Sequence, residues 1–217
     1  MGEPRSAPMN ALRRIHRLSA LAVGAYALVH LANHLVALQG VEHHIAFMGA
    51  LRQVTRLSAV EALLLAAVLV QVVSGLLLAR GRPRAPRAAP RPFLARLQAM
   101  SGLYLAFFLV VHVGSVMVGR SVLGLDTNFC FAAAGLLVAP YYLFFVPYYG
   151  LAVAAFVLHL ACAMRRLLPA GAGPAWSRRI GYAGIVGGVV LAALIVAAFS
   201  GAFHPIALPP AYLATFR

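Results

Sequence analysis

An all-α, polytopic membrane protein is the fold class this chain predicts, and three observations predict it. The 217 residues are 63% hydrophobic with only four acidic side chains, more apolar surface than a soluble domain of this size can hide. Five apolar runs are each long enough to cross a hydrocarbon core, which takes about 20 helical residues. The charges fall almost wholly between those runs. A single transmembrane domain over residues 1–217 is expected, its spans at about 18–39, 58–79, 99–118, 143–165 and 181–201.

The first span follows an Arg-rich lead and reads SALAVGAYALVHLANH. The second, opened by Glu61, reads LLLAAVLVQVVSG, and the third SGLYLAFFLVVHVGSV. Between the second and third, RGRPRAPRAAPRPFLAR is rich in proline and arginine and reads as an extended, solvated loop against anionic headgroups or a partner. Residues 119–142 are unusually apolar but too few for another hairpin. An interfacial or partly re-entrant helix is expected there, with Asp126 as a turn or N-cap residue. Tyr141, Tyr142, Tyr148 and Tyr149, around Pro140 and Pro147, fit an aromatic belt before the fourth span, LAVAAFVLHLACA. The fifth span has no central polar group. Its Gly184 and Gly188 form a small-xxx-small face for packing.

The formal charge of +14 comes from arginine alone, since the chain has no lysine. The arginines flank apolar segments rather than forming a stripe, which argues for membrane topology and against nucleic acid. Arg5, Arg13, Arg14 and Arg17 precede the first span; Arg80, Arg82, Arg84, Arg87, Arg91 and Arg96 surround the second loop; Arg165, Arg166, Arg178 and Arg179 surround the fourth. Only Arg52, Arg56, Arg120 and Arg217 fall on the other side. The positive-inside rule then places the N-terminus in the cytoplasm and the C-terminus outside, in a cell (cytoplasmic) membrane. The first dozen residues lack a signal-peptide pattern. Cys130 and Cys162 have no metal-type spacing, and no disulfide is expected.

The polar groups inside the spans carry the chemistry. His30 and His112 each follow an opening serine by eleven residues (Ser19, Ser101), and Gln71 stands in the second span at the register of His159 in the fourth. A helical hairpin is thus used twice. Polar groups in lipid are costly and need a reason, and two histidines at one depth on two helices can ligate one haem iron from both faces. His30 with His112 forms a complete pair. His159 faces Gln71, whose amide is a poor ligand, so one haem is expected rather than two, with Gln71 and His159 hydrogen-bonded to each other or to water. His34, one turn beyond His30, is a rival ligand, although it matches Ser115–Val116 in the repeat. His16, His43, His44 and His204 read as solvated or headgroup-facing. Glu42 and Glu61 are candidates for proton exchange with a quinone, against the plainer readings of a loop acid and a helix N-terminal charge.

In RRIHRLSA, ALVHLANHL, AVEALLLAAVLVQ, LQAMSGLYLAFFLVVHV, FVLHLACA and SRRIGYAG, taken in order, the chain resembles the cytochrome b membrane anchor of succinate:quinone oxidoreductases. The type is the single-chain, five-helix form with two haems found in succinate dehydrogenases and fumarate reductases. The resemblance implies haem b on His30 and His112, distal from the cytoplasmic subunits, and the proximal ligand positions at Gln71 and His159. It also implies a flavoprotein and an iron–sulfur subunit docked on the Arg-rich face, and electron exchange with membrane quinone. The chain has no CxxC cluster motif and no dinucleotide fingerprint, so dicarboxylate chemistry belongs to those partners. The departure at Gln71 keeps a haem-free scaffold or assembly protein of the same fold in view. A small-solute transporter is a third reading, although its repeats should show helices broken at mid-membrane.

The arginine asymmetry yields a direct test. Reporter fusions after Arg87 and after Pro209 should report opposite sides of the membrane; both on one side would end the five-span topology.

Overall fold

The computed structural model describes residues 6–81, 92–165, 169 and 173–216, and among these all regular structure is helical. The helices are α1 (Ser6–Val36), α2 (Val41–Thr55), α3 (Ser58–Arg80), α4 (Phe93–Ser121), α5 (Phe129–Leu137), α6 (Tyr142–Met164), α7 (Pro174–Phe199) and α8 (Pro210–Leu213). Five of them, α1, α3, α4, α6 and α7, are long and apolar enough to cross a membrane. They coincide with the five runs read from the sequence. The main difference is at the ends, where α1, α4 and α7 extend through their flanking arginines, because a helix leaving the hydrocarbon continues for as long as its own hydrogen bonds and solvated side chains support it. Most of the proline- and arginine-rich loop lies outside the described residues.

The long helices run alternately up and down. Met9 of α1 lies beside Gly81 at the end of α3, and Arg165 after α6 donates to Ser177 near the start of α7 at 2.9 Å. Exposed Arg13, Arg14, Arg17, Arg80, Arg96, Arg178 and Arg179 gather at this end, which we call the Arg-rich end. At the other, Arg-poor end, Glu61 in the first turn of α3 accepts from Arg120 in the last turn of α4. Packing follows the order α1, α3, α4, α6, α7, while α1 does not pack along α6. Beyond that order, α7 also touches α1.

The tightest contact is between α6 and α7, and glycines make it. A Cβ at Gly188 would stand 2.9 Å from the Ala154 carbonyl oxygen, and one at Gly184 would collide with the Ala161 methyl. The small-residue face expected in the fifth span is thus spent on close helix approach, where dispersion replaces the absent hydrophobic driving force. The main apolar core sits toward the Arg-poor end, where Phe129, Ala133 and Ala134 of α5 meet Val153 of α6 and Ile195, Ala198 and Phe199 of α7.

Three expectations for the Arg-poor connections need correction. The apolar segment does form a helix, α5, but its burial among α2, α6, α7 and α8, with Phe129 and Ala133 at 1% and 0% exposure, removes the interfacial alternative and not the partly re-entrant one. Its N-cap is Asn128, which accepts from Cys130 N at 2.9 Å. Asp126 instead pairs with Arg52 at 2.7 Å and Arg56 at 3.8 Å, tying α2 to the α4–α5 connection. Of the four tyrosines, Tyr141 and Tyr142 are exposed as a belt would be, whereas Tyr148 is buried, being on the face of α6 that meets α4.

These contacts separate two neighbouring glycines. Gly188→Val should lower the unfolding temperature in detergent, at a cost of roughly 1–3 kcal/mol from overpacking. Gly187→Val should change little, because nothing lies within 4 Å of a Cβ there.

Candidate functional site

The side chains of interest lie in two layers, and one face of α1 serves both. His16, Ser19, Tyr26, His30 and Asn33 recur at spacings of three, four and seven, so they share one side of the helix. That side faces α3 near the Arg-rich end and α2 and α4 near the Arg-poor end.

In the Arg-poor layer His30 of α1 faces His112 of α4, with ring centroids 6.1 Å apart and planes at 58°. Each ring is backed by an aromatic of its own helix. Tyr26 stacks on His30 at 5.7 Å and Phe108 on His112 at 4.8 Å, both at 13°. His34 Nε2 lies 3.1 Å from His30 Nε2, and its Nδ1 is 3.2 Å from His44 Nε2. Asn33 Nδ2 donates to the same His44 nitrogen at 3.2 Å. The rival ligand on α1 is therefore already engaged between two other imidazoles.

His44 is the residue that the sequence reading missed. It is 1% exposed, not solvated, because the connection between the first two spans is itself a helix. Gly40, at φ 126°, turns the chain back. The face of α2 formed by Val41, His44 and Ile45 then closes over α1, with His44 packed edge-on against Phe129 and Phe199. The spacing Val41, His44, Ile45 and Met48 was the available signal, an apolar face with a histidine in it. Burial, with His30 and Arg52 nearby, pushes the His44 imidazole down to about 4, so it is neutral at pH 7. His44 Nδ1 and Asn33 Oδ1 are buried with no partner among the described residues. His43 is exposed, and His204 contacts the Leu38 carbonyl oxygen at 2.9 Å.

In the Arg-rich layer Gln71 has other partners than expected. Its Oε1 accepts from Ser19 at 2.7 Å, and its Nε2 lies 3.3 Å from His16 Nε2. His16 Nδ1 is 2.9 Å from Ser74 Oγ, so this histidine turns into the bundle rather than toward headgroups. His159 is on α6 at the same level, its Nδ1 3.2 Å from Ser101 Oγ. The Ser19–Gln71 bond replaces the anticipated pairing of Gln71 with His159 because α1 packs directly on α3.

The acids take simple places. Glu61 bonds Arg120, which is thereby drawn to a carboxylate of its own chain. Glu42 is exposed and, with His43 and His204, lines a surface recess of about 300 Å³. Among the described residues no group of three or more His, Cys, Asp or Glu side chains converges as a metal site. What the bundle offers is paired imidazoles, which suits a cofactor that brings its own equatorial ligands. Comparison with known protein families, curated proteins and solved structures finds no match to this chain.

The His44 environment predicts two outcomes. His44→Phe strands Asn33 and His34, each at roughly 1–3 kcal/mol for an unsatisfied buried group, so its unfolding temperature should fall while that of His43→Phe should not. The unfolded imidazole binds a proton below pH ~6.5 and the folded one only near 4. Stability should thus decline as pH falls through that window, by up to about 3 kcal/mol from this group, and less steeply in His44→Phe.

Proposed function

We propose that this protein is a haem b-containing membrane anchor of a succinate:quinone oxidoreductase-like complex, carrying electrons between an iron–sulfur partner subunit and membrane quinone. The observation that supports it most is the His30–His112 pair. The two rings come from α1 and α4, helices that do not pack on each other, and they meet 6.1 Å apart inside an apolar bundle. Two imidazoles on one metal stand about 6 Å apart between ring centres, from bonds of about 2 Å and a further ~1 Å to each centre. The residues present therefore fit the group. His30 Nε2, which now faces His34, would be the atom that holds the group, and His44 would still hold His34.

Haem b supplies one-electron redox chemistry when bound there. The chain's own contribution is to hold, orient and insulate. Tyr26 and Phe108 fix the planes of the two imidazoles. The apolar walls of α4 and α6 lower the dielectric around the pair. Exposed arginines at the Arg-rich end offer a docking face for the acidic surface of an iron–sulfur subunit, itself paired with a flavoprotein. At the Arg-poor end Glu61, paired with Arg120, and exposed Glu42 are the candidates for proton exchange with quinone. The arginine asymmetry supports an N-terminus in the cytoplasm, a C-terminus outside and residence in the cytoplasmic membrane.

A haem-free scaffold of the same fold is the second reading, and one observation favours it: the His30–His34–His44–Asn33 chain is hydrogen-bonded without any added group. Spectroscopy separates the two. The reduced-minus-oxidised spectrum of the purified protein should show a low-spin b-type signal, abolished by His30→Ala and by His112→Ala and largely kept in His34→Ala. A spectrum without haem would favour the scaffold, and loss in His34→Ala with a normal His30→Ala would reassign the ligand.

A further inference from the structure

We infer that the first turns of α7 form a binding site for an anionic phospholipid headgroup, built from Trp176, Arg178, Arg179 and Tyr182. The site is independent of the redox reading above. Helix α7 has two sides of opposite kind. Gly181 lies against Leu94 of α4, and Gly184 and Gly188 lie against Ala161 and Ala154 of α6, so that side is spent on packing. The other side is open. Val186, Val189 and Val190 are exposed, and nothing lies within 4 Å of a Cβ at Gly187. On a helix that crosses a bilayer, an apolar side left bare by the protein is covered by lipid.

The four residues carry this lipid-facing side down to the Arg-rich end. Arg179 stands about two turns before Val186, on the same side of the helix. Tyr182 follows Arg178 by four residues and Arg179 by three, so it neighbours both. Trp176 is three residues before Arg179, and the Arg179 guanidinium carbon lies 5.3 Å from the centre of its ring. All four are exposed. Tryptophan and tyrosine are the side chains that settle at headgroup level, with an apolar ring and a polar tip. An arginine there lays its stem on apolar surface and extends its charge to the phosphates. Contact with the indole orders the Arg179 side chain in advance, which lowers the cost of binding.

Charge selects the headgroup. The described carboxylates, Glu42, Glu61 and Asp126, belong to the Arg-poor end, and so do the ion pairs among the described residues. Arg178 and Arg179 therefore have no carboxylate partner among the described residues. Arg165, by contrast, donates to Ser177 at 2.9 Å and fixes the start of α7 to the end of α6. A guanidinium matches a phosphate with two parallel N–H donors. Phosphatidylcholine carries its own cation beside the phosphate, so the site favours a lipid without one, such as phosphatidylglycerol. An acidic protein surface would match the charge but not the place. A soluble partner meets the end of the bundle, whereas these residues stand on its flank, in line with the exposed valines.

Trp176 is the single tryptophan of the chain, so its fluorescence reads the site directly. The test uses the purified full chain in phosphatidylcholine vesicles. Phosphatidylglycerol or phosphatidylcholine with brominated acyl chains is titrated in, since bromine quenches an indole at contact range. The anionic lipid should reach half-maximal quenching at about one-fifth of the mole fraction that phosphatidylcholine needs, or less. In Arg178→Gln/Arg179→Gln the two curves should coincide. Arg13→Gln/Arg14→Gln, on α1 at the same end of the bundle, should keep the preference. Unfolding temperatures report that the variants are folded; if the α7 pair is not, Arg179→Gln alone decides by the same comparison. Equal quenching by both lipids in the wild-type chain would overturn the inference and leave these arginines to an acidic protein surface. A preference that survives Arg178→Gln/Arg179→Gln, or that is lost equally in Arg13→Gln/Arg14→Gln, would overturn it as an effect of overall charge.

Discussion

The polar side chains of α1 inside this bundle find most of their hydrogen bonds on neighbouring helices, and that constraint organises the rest. Water is absent from hydrocarbon, so an unsatisfied buried group costs more than any single apolar contact returns. One face of α1 carries most of these groups, and its rotation is set by them. Ser19 and His16 reach Gln71 and Ser74 of α3. About four turns on, Asn33 and His34 reach His44 of α2. Turning α1 away from this face would strand both groups at once. Apolar packing alone would not fix its angle, since the helices of a bilayer protein are apolar all round.

The two ends of the bundle are built on different physics. The Arg-poor end is closed by α2, α5 and α8. There Arg52 and Arg56 meet Asp126, Arg120 meets Glu61, and the Tyr212 hydroxyl donates to the Asp126 carbonyl at 2.8 Å. Its cations are largely neutralised within the chain. At the Arg-rich end Arg13, Arg14, Arg17, Arg178 and Arg179 stand exposed. One face thus seals the histidine layer, and the other leaves its cations free for anionic headgroups.

Much of this was legible in the sequence, for reasons that differ by element. The spans were readable because a run of apolar residues long enough to cross hydrocarbon has few alternatives; α3 and α6 match their expected bounds within a residue. His30 and His112 were readable from the repeat, since matching registers on two helices converge when the hairpins pack alike. The role of α2 was not readable, because a helix beside the spans has no hydropathy signature, and so His44 was misplaced at the surface. His16 was hidden by its flanking arginines. Only its two-heptad spacing from His30 marked it as facing the same way. The partner of Gln71 depended on which helices touch, and hydropathy does not reveal that α1 packs on α3 and not on α6.

The central claim is that His30 and His112 are a ligand pair across the bundle and not simply a hydrogen-bonded seam. A cryo-electron microscopy map of the purified, full-length protein tests it most directly. The account predicts continuous planar density between the two rings, with His30 turned from His34 toward the metal. Its contradiction would be a map in which the His30–His34–His44 chain is closed, the helices are in contact at that level, and no density separates His30 from His112.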